Sequence, residues 1–298
     1  MRCVVKTLCG KYASFKKLVR RTYKYCRLVI ARKLHPNWRL AQDIDDIRKI
    51  PFIQFVFCVF PYARVRAGSG CSVGFDVGKQ LSYVIHNGYR LYFRDGFTEC
   101  EVRDQYLYFC EVEGITGQGC LEKTPHSYVS ESFNVEQGDV VVDLGCSEAL
   151  FALDNIEKAS RVYLFEMDLQ WNCPLHATFD RFGDKVVITN KFVGGVTSGD
   201  VVRMTDVLED GIGVTYFLKM DIEGGERAVI ESSRDFLTSH RVKLSCCVYH
   251  RQDDERVITE MLKNMGFTCS VTDGCMLPPM GGMHYPYLRH GVIHAQNF

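Results

Sequence analysis

No apolar run in the sequence is long enough to cross a bilayer. The longest, Ile50 to Phe60, spans eleven residues and includes Pro51 and Gln54, against about 20 for a membrane helix. The opening MRCVVKTLCGKY has no apolar stretch of about 7–15 residues leading to a small-residue cleavage site, so no secretory leader is expected and the cytoplasm is the expected location. Cys-x-x-Cys pairs and a matching His-x3–5-His spacing are absent although the chain has 14 cysteines. That argues against a disulfide framework or a zinc finger, and leaves reduced thiols packing as small apolar residues. Internal repeats and low-complexity tracts are missing too. So is an excess of either charge, with 36 basic and 36 acidic residues. What remains is ordinary globular composition, 46% hydrophobic and 24% charged over 298 residues, about two domains' worth and not a disordered chain.

The zero net charge hides a division. Residues 1–50 carry 14 basic and 3 acidic residues, net +11, whereas residues 131–298 carry 15 and 25, net −10. Between Ser14 and Leu34, apolar Phe15, Leu18, Val19, Tyr23, Cys26, Val29 and Ile30 recur at spacings of three and four among Lys16, Lys17, Arg20, Arg21, Lys24 and Arg27, which predicts a basic amphipathic helix. Such a helix packs its apolar stripe on the rest of the chain, or lies on an anionic membrane surface, where each basic residue contributes about 1 kcal/mol. An anionic glycan would suit the same charge. No nucleic-acid module is recognisable, and no nucleic-acid partner is expected.

Short β-like runs follow. Leu81–His86 and Tyr89–Arg94 flank Asn87-Gly88, a dipeptide suited to the two positive-φ positions of a tight hairpin. Gln105–Val112, rich in aromatics, reads as another such run before a glycine-containing loop from Gly114 to Gly119. From Gly138 onward, strand-like Val140–Leu144, Val162–Glu166, Val186–Thr189, Tyr216–Met220, Leu244–Tyr249 and Phe267–Val271 alternate with helical Ala149–Ala159, Leu169–Phe182, Glu226–Thr238 and Asp253–Met265. In the last helix Val257, Ile258, Met261, Leu262 and Met265 share a face, and Gly266 follows as a stop. The expected architecture is α/β: a basic helical segment (1–50), a small β-rich cap (51–130), and a domain at 131–298 with a mostly parallel, doubly wound sheet. Ligands of such sheets sit beyond the carboxyl ends of the strands, where strand order reverses.

Three strand ends carry candidate chemistry. The first, VVVDLGCSEALF, places Asp143 two residues before its single glycine, Gly145. A dinucleotide loop would show G-x-G-x-x-G; here the acidic residue would repel a phosphate and welcome a cationic group such as the sulfonium and ammonium of S-adenosylmethionine. The second strand ends at Glu166, 23 residues after Asp143, placed to accept hydrogen bonds from two ribose hydroxyls. The fourth ends KMDIEGGE, where Asp221 and Glu223 stand two residues apart and are costly to hold together without a ligand or a shared proton. Glu226 fits an ordinary acidic residue at a helix N-terminus.

These motifs, GDVVVDLGCSEALFAL, VYLFEMD, KMDIEGGE and the closing YLRHGVIHA, resemble the FkbM family of S-adenosylmethionine-dependent methyltransferases from about residue 120 onward. Thr124-Pro125-His126-Ser127-Tyr128 is similar to the lead-in of one branch of that family. The resemblance implies a Rossmann-like class I methyltransferase fold, S-adenosylmethionine as cofactor, and O-methylation of a carbohydrate or glycoconjugate. It further implies a cofactor site drawn from Asp143, Gly145, Cys146, Ser147, Glu148, Glu166, Met167 and Asp221, closed by His126 and Tyr128. One departure is Ala149, where the family's loop usually has a second glycine. A methyl group at a helix start is expected to cost little.

Methyl transfer to a hydroxyl needs alignment of donor and acceptor and a base for the hydroxyl proton. Candidates are Asp221, Glu223 and His250, with His250 preferred because imidazole titrates near neutrality. Asp221 and Glu223 alone are too few oxygen ligands for a hard cation, so no metal is expected. The rival activities are a nicotinamide-dependent oxidoreductase, opposed by the missing glycines, and a non-catalytic module on a worn methyltransferase fold.

Overall fold

The computed structural model describes residues 71–115, 124–209, 211, 213–276 and 288–298, together with Val59–Phe60 and scattered positions between 18 and 34. The rest of the 1–50 segment and the loop beyond residue 115 lie outside the described residues. Every described position from 18 to 34 is helical and none is buried. Of the predicted apolar stripe, Leu18, Val19, Tyr23 and Ile30 are 41–54% exposed.

The principal sheet has seven strands: β5 (Val140–Leu144), β6 (Arg161–Phe165), β7 (Val186–Thr189), β10 (Thr215–Met220), β11 (Arg241–Cys247), β12 (Thr268–Val271) and β14 (Val292–Gln296). Their order is β12-β14-β11-β10-β5-β6-β7. Neighbours from β11 to β7 are parallel, while β14 is antiparallel to both β11 and β12. β5 is buried along its whole length, as is all of β10 after Thr215. That burial is why their sequences read as continuous apolar runs rather than alternating ones. From β5 the chain winds outward through β6 and β7, then returns to β10 on the other side. The switch point is therefore the crevice beyond Leu144 and Met220.

Helices α2 (Leu150–Asp154), α3 (Asn172–Phe179), α4 (Glu226–Ser232), α5 (Arg234–Ser239) and α6 (Asp254–Lys263) pack on the sheet. One apolar core contains Val141, Phe151, Leu164, Leu175 and Phe217. The opposite face buries Val142, Leu218, Ile230, Leu244, Ile258 and Leu262. The predicted helix Glu226–Thr238 is two, divided at Ser233. Helix α6 matches its predicted period, and Gly266 ends its last turn at φ +87°.

The cap consists of β2 (Val73–Asp76), β3 (Leu81–His86), β4 (Tyr89–Tyr92) and α1 (Glu99–Glu113), with the two-residue β1 (Val59–Phe60) pairing β13 (Cys275–Met276) elsewhere. The Asn87-Gly88 hairpin forms as predicted, with φ of +49° and +83°. Gln105–Val112, predicted as a β run, is instead the second half of α1. Thr98 accepts from the Glu101 amide while the Glu101 carboxylate accepts from the Thr98 amide, a capping box that nucleates the helix. Val102, Tyr106 and Cys110 then fall on one buried face. The cap has no separate core: Val84, Leu91, Phe93, Val102 and Tyr106 belong to the same cluster as Val141 and Phe151. It is joined to the sheet domain by His86 Nε2, 2.9 Å from Asp154 Oδ1, and by the Tyr92 amide donating to Thr178 Oγ1 at 3.1 Å.

Candidate active site

A cleft of about 370 Å³ opens at the switch point, between Gly145, Ser147, Glu166, Met167, Asp221 and Ile222 on one side and Tyr108, Phe109 and His126 on the other. Its floor is set by one close approach. Gly145 turns at φ +74°, and a Cβ there would lie 2.0 Å from the Asp221 carbonyl oxygen, so the loop after β5 tolerates only glycine. The same loop holds Ser147 at φ +48° and Ala149 at φ +61°, and across the cleft Glu223 stands at φ +54°. Three non-glycine residues in the left-handed region around one cleft concentrate strain there, as functional loops do. Ala149 is thus no ordinary helix-start residue. Its methyl group costs about 1–2 kcal/mol in this backbone, contrary to the expectation from helix propensity.

Glu166 ties the two strand ends together. Its Oε2 accepts from the Ser147 amide at 2.9 Å and its Oε1 from the Asp168 amide at 2.8 Å, leaving each oxygen a further lone pair toward the cleft. Met167 beside it is 61% exposed. Cys146 contributes backbone to the turn; burial pushes its thiol well up, so it is not a nucleophile.

Asp143 does not present a free negative charge. It is fully buried, and Lys219, its register partner on β10, reaches Asp143 Oδ1 at 2.8 Å and donates to the Gly145 carbonyl at 2.7 Å. Desolvation works against the ammonium, but Asp143, Asp221 and Glu113 outweigh it and hold Lys219 charged. The sequence reading passed over Lys219. The available signal was a lysine inside an apolar strand, at the position matching the aspartate of the neighbouring strand.

Asp221 sits at the centre of a polar ring. Its Oδ2 accepts from Tyr128 OH at 3.0 Å and its Oδ1 from Tyr249 OH at 3.4 Å. His126 Nε2 is 3.5 Å from Oδ2 and His250 Nε2 is 3.3 Å from Oδ1. Burial would raise this carboxyl, yet His126, His250 and Lys219 hold it well below the usual range. Asp221 therefore stays anionic at neutral pH and is a poor proton acceptor.

His250 departs most from expectation. It stands behind Asp221, away from the cleft lining, with Nδ1 3.0 Å from Glu226 Oε1 and Nε2 3.6 Å from Glu223 Oε2. Burial opposes its charge, but Glu226, Asp221 and Glu223 push the imidazole up to about 9. A ring that is already protonated at neutral pH cannot take a proton from an acceptor, so the predicted base is an imidazolium clamp. Glu226, fully buried, accepts from the Ile222 and Gly224 amides and so organises the turn as well as the histidine. Glu223 lies at the mouth with its side chain 85% exposed. On the cleft wall beside Asp221 stands His126, whose Nδ1 has no hydrogen-bond partner among the described residues.

Two groupings, His126–Asp221–Cys247 and Asp221–Glu226–His250, bring ligand-type atoms within 4.8 Å of one another. In the second grouping the raised imidazole of His250 already balances Asp221, and in the first burial pushes the Cys247 thiol well up.

Residues 149–273 match the model of the methyltransferase FkbM domain. Among solved structures, methyltransferase FkbM from Methylobacillus flagellatus KT is 22% identical with a TM-score of 0.45, over 63% of this chain and 49% of that one. The chain thus spans about half the length of that relative. Precorrin-6y C5,15-methyltransferase from Geobacter metallireducens GS-15 is 17% identical over 54% of this chain and 80% of that one, TM-score 0.37. Sp1610 of Streptococcus pneumoniae, solved in complex with S-adenosyl-L-methionine, is 16% identical over 57% and 72%, TM-score 0.35. No curated protein matches the chain. No helix among the described residues is long and apolar enough to cross a membrane.

Proposed function

We propose that this chain, whose residues 149–273 match an FkbM methyltransferase domain, is an S-adenosylmethionine-dependent O-methyltransferase acting on a carbohydrate or glycoconjugate hydroxyl. The observation that carries it is the joining of the two strand-end loops by Glu166 at the mouth of a cleft at the sheet's switch point. A carboxylate there with spare lone pairs suits two vicinal hydroxyls of a ribose. The cleft volume falls in the range of small-ligand sites, about 300–1,000 Å³, and exposed Met167 offers an apolar face for a base. Against a nicotinamide dinucleotide stands the loop after β5, which has the single glycine Gly145 where a pyrophosphate-binding turn has three.

Bound there, the cofactor supplies an electrophilic methyl group on a sulfonium. The chain's own residues orient and balance charge. Glu166 would fix the ribose, anionic Asp221 would face the cationic end, and Tyr108, Phe109 and Tyr249 would wall off water from the acceptor. Asp221 beside Nε2 favours the tautomer in which that nitrogen carries the proton, leaving Nδ1 of His126 as the acceptor. His126 thus takes the base role first assigned to His250. The acceptor class rests on the family resemblance. An anionic membrane surface is the second partner on this reading, supported by exposed Leu18, Val19, Tyr23, Ile30 and Leu34 and by the basic sequence in which they are set.

Calorimetry with S-adenosylhomocysteine and with NAD tests the cofactor. Binding of the first alone supports this reading, binding of NAD replaces it with the oxidoreductase, and binding of neither leaves the non-catalytic module. Transfer of labelled methyl groups to oligosaccharides, with peptides and nucleic acids as controls, tests the acceptor.

A further inference from the structure

With the two strand-end loops given to the methyl donor, part of the cleft is left for the acceptor. Tyr108, Phe109 and Val112 of α1 line it, with Tyr249, Met276 and the carboxylate of Glu223. Tyr108 is 36% exposed, its ring edge-on to Phe109 at 5.5 Å. Burial and Asp221 raise the Tyr249 phenol, and Glu223 and Tyr108 both add to the effect, which puts the two within electrostatic reach of one ring. The lysine of the cleft stands elsewhere. Lys191 follows β7, just past the Thr189 carbonyl that accepts the Glu166 amide, and donates to the Gly199 carbonyl at 3.3 Å, so it borders the ribose end.

Glu223 is a costly residue for its position. Its φ of +54° is backbone that glycine or asparagine adopts more readily, and an exposed glutamate has no packing reason to be there. Yet the turn holds it from both sides. Glu226 accepts from the Ile222 amide at 3.1 Å and from the Gly224 amide at 3.3 Å, and Arg251 donates to the Gly224 carbonyl at 2.5 Å. The result is a carboxylate fixed at the rim with its side chain 85% exposed. Among the described residues it is ion-paired only to His250, at 3.6 Å, and that ring is already answered by Glu226 and Asp221. A strained backbone, held in place around an acid with acceptor capacity to spare, breaks local rules in the way binding sites do.

Resting on the glycoside O-methylation proposed above, we propose that Glu223 and Tyr108 together select the acceptor, taking an uncharged pyranoside with adjacent hydroxyls and turning acidic sugars away. A carboxylate has two oxygens and about four lone-pair sites, so it accepts from two neighbouring hydroxyls at once, through bonds about twice as strong as neutral ones. The ring of Tyr108 covers the C–H face of the same sugar, as an aromatic wall suits a ligand with one apolar face and a hydroxylated edge. A uronic acid or sugar phosphate would bring a second negative charge to Glu223 with no cation left to answer it, which is exclusion by like charge. Tyr108 lies on the cap helix, outside the residues 149–273 matched to the FkbM domain. The cap thus takes part in choosing the acceptor as well as in the shared core.

Transfer of labelled methyl groups from S-adenosylmethionine to the methyl glycosides of glucose, galactose and mannose, each paired with its uronic acid, provides the test. Wild type should favour the neutral member by about tenfold in kcat/KM at low salt, with the margin shrinking as salt screens the carboxylate, a readout that needs no variant to fold. Glu223→Gln should cut that margin about fivefold and raise KM for the neutral sugar. Tyr108→Ala should raise KM about tenfold for both members, and Tyr108→Phe should recover most of the loss. S-adenosylhomocysteine affinity, measured by calorimetry, should stay near the wild-type value in each variant. No preference or a preference for uronic acids in the wild type, a margin unmoved by Glu223→Gln, or equal loss in Tyr108→Phe and Tyr108→Ala would overturn the assignment and leave the carbohydrate reading standing. A wild type that binds S-adenosylhomocysteine but methylates none of the glycosides would overturn that reading and this one together.

Discussion

Replacing His250 with glutamine removes a buried positive charge between Glu226 and Asp221 while keeping similar bulk and polarity. The imidazole is raised from 6.5 to about 9 by those carboxylates. At about 1.4 kcal/mol per pH unit, this corresponds to about 3 kcal/mol of folding stability. The sign follows from the direction. A group whose folded pKa lies above its unfolded value contributes fully below about pH 6.5, and the contribution is lost as pH rises through 9. Urea unfolding at half-unit steps from pH 6 to 9.5 should therefore show wild type well above His250→Gln at pH 6, with the two converging near pH 9. Glu148, raised from 4.5 to about 7, also lowers stability as pH rises, but between pH 4.5 and 7 and in both proteins, so the difference curve isolates the histidine. Parallel curves across the whole range would refute the clamp. A fall in kcat of about 10²–10⁴-fold in His250→Gln, with no change in stability, would restore the histidine to the general-base role.

Ala149→Gly should raise stability by about 0.5–1 kcal/mol, the relief of a left-handed alanine less the entropy glycine adds to the unfolded chain; a lower unfolding midpoint would contradict the strained-loop account. Glu166→Ala should weaken S-adenosylhomocysteine binding by about 1.5–3 kcal/mol, roughly 10–150-fold, and lower Tm as well, because two loop amides lose their acceptor; an unchanged dissociation constant in folded protein would remove Glu166 from the site. Activity should survive EDTA, and loss of turnover restored by Mg²⁺ would overturn the charge-paired reading of the Asp221 groupings. Deleting residues 1–40, which hold twelve basic and no acidic residues, should leave Tm near that of the full chain and abolish salt-sensitive binding to anionic vesicles. A large drop in Tm with no vesicle binding by the intact chain would show that the helix packs instead.

The parallel sheet was legible because β5 and β10 are buried on both faces and so are written as unbroken apolar runs. The hairpin was legible because Asn87-Gly88 is a local backbone requirement, and α6 because its apolar period is long and regular. Helix α1 was missed where composition and pattern disagreed. Tyr106, Tyr108, Phe109 and Val112 are strand-favouring residues, but the Thr98–Glu101 box and the spacing of Val102, Tyr106 and Cys110 decide the outcome. Strand-end positions identified Gly145, Glu166 and Asp221 as cleft residues, since that follows from topology. Charge states were not legible. Whether Asp143 is free depends on its register with Lys219, and whether His250 is neutral depends on Glu226, 24 residues earlier, folding back toward it. The first contact is made by pairing across the sheet and the second by a helix start meeting the loop after β11, and neither leaves a spacing in the sequence.

The shared core of cap and sheet domain has a consequence for synthesis. His86 finds its partner 68 residues downstream and the Tyr92 amide finds its own 86 residues downstream. At roughly 5–20 residues per second, a ribosome would make the second interval in about 4–17 s. During that time the hairpin, marginal alone in water, would wait with Leu91 and Phe93 uncovered. The cap would then be made early and seated late, and agents that bind nascent apolar segments should act on residues 81–94 before they act on the sheet. Yield would then be sensitive to translation speed over residues 95–180 even where the codons changed leave every amino acid the same.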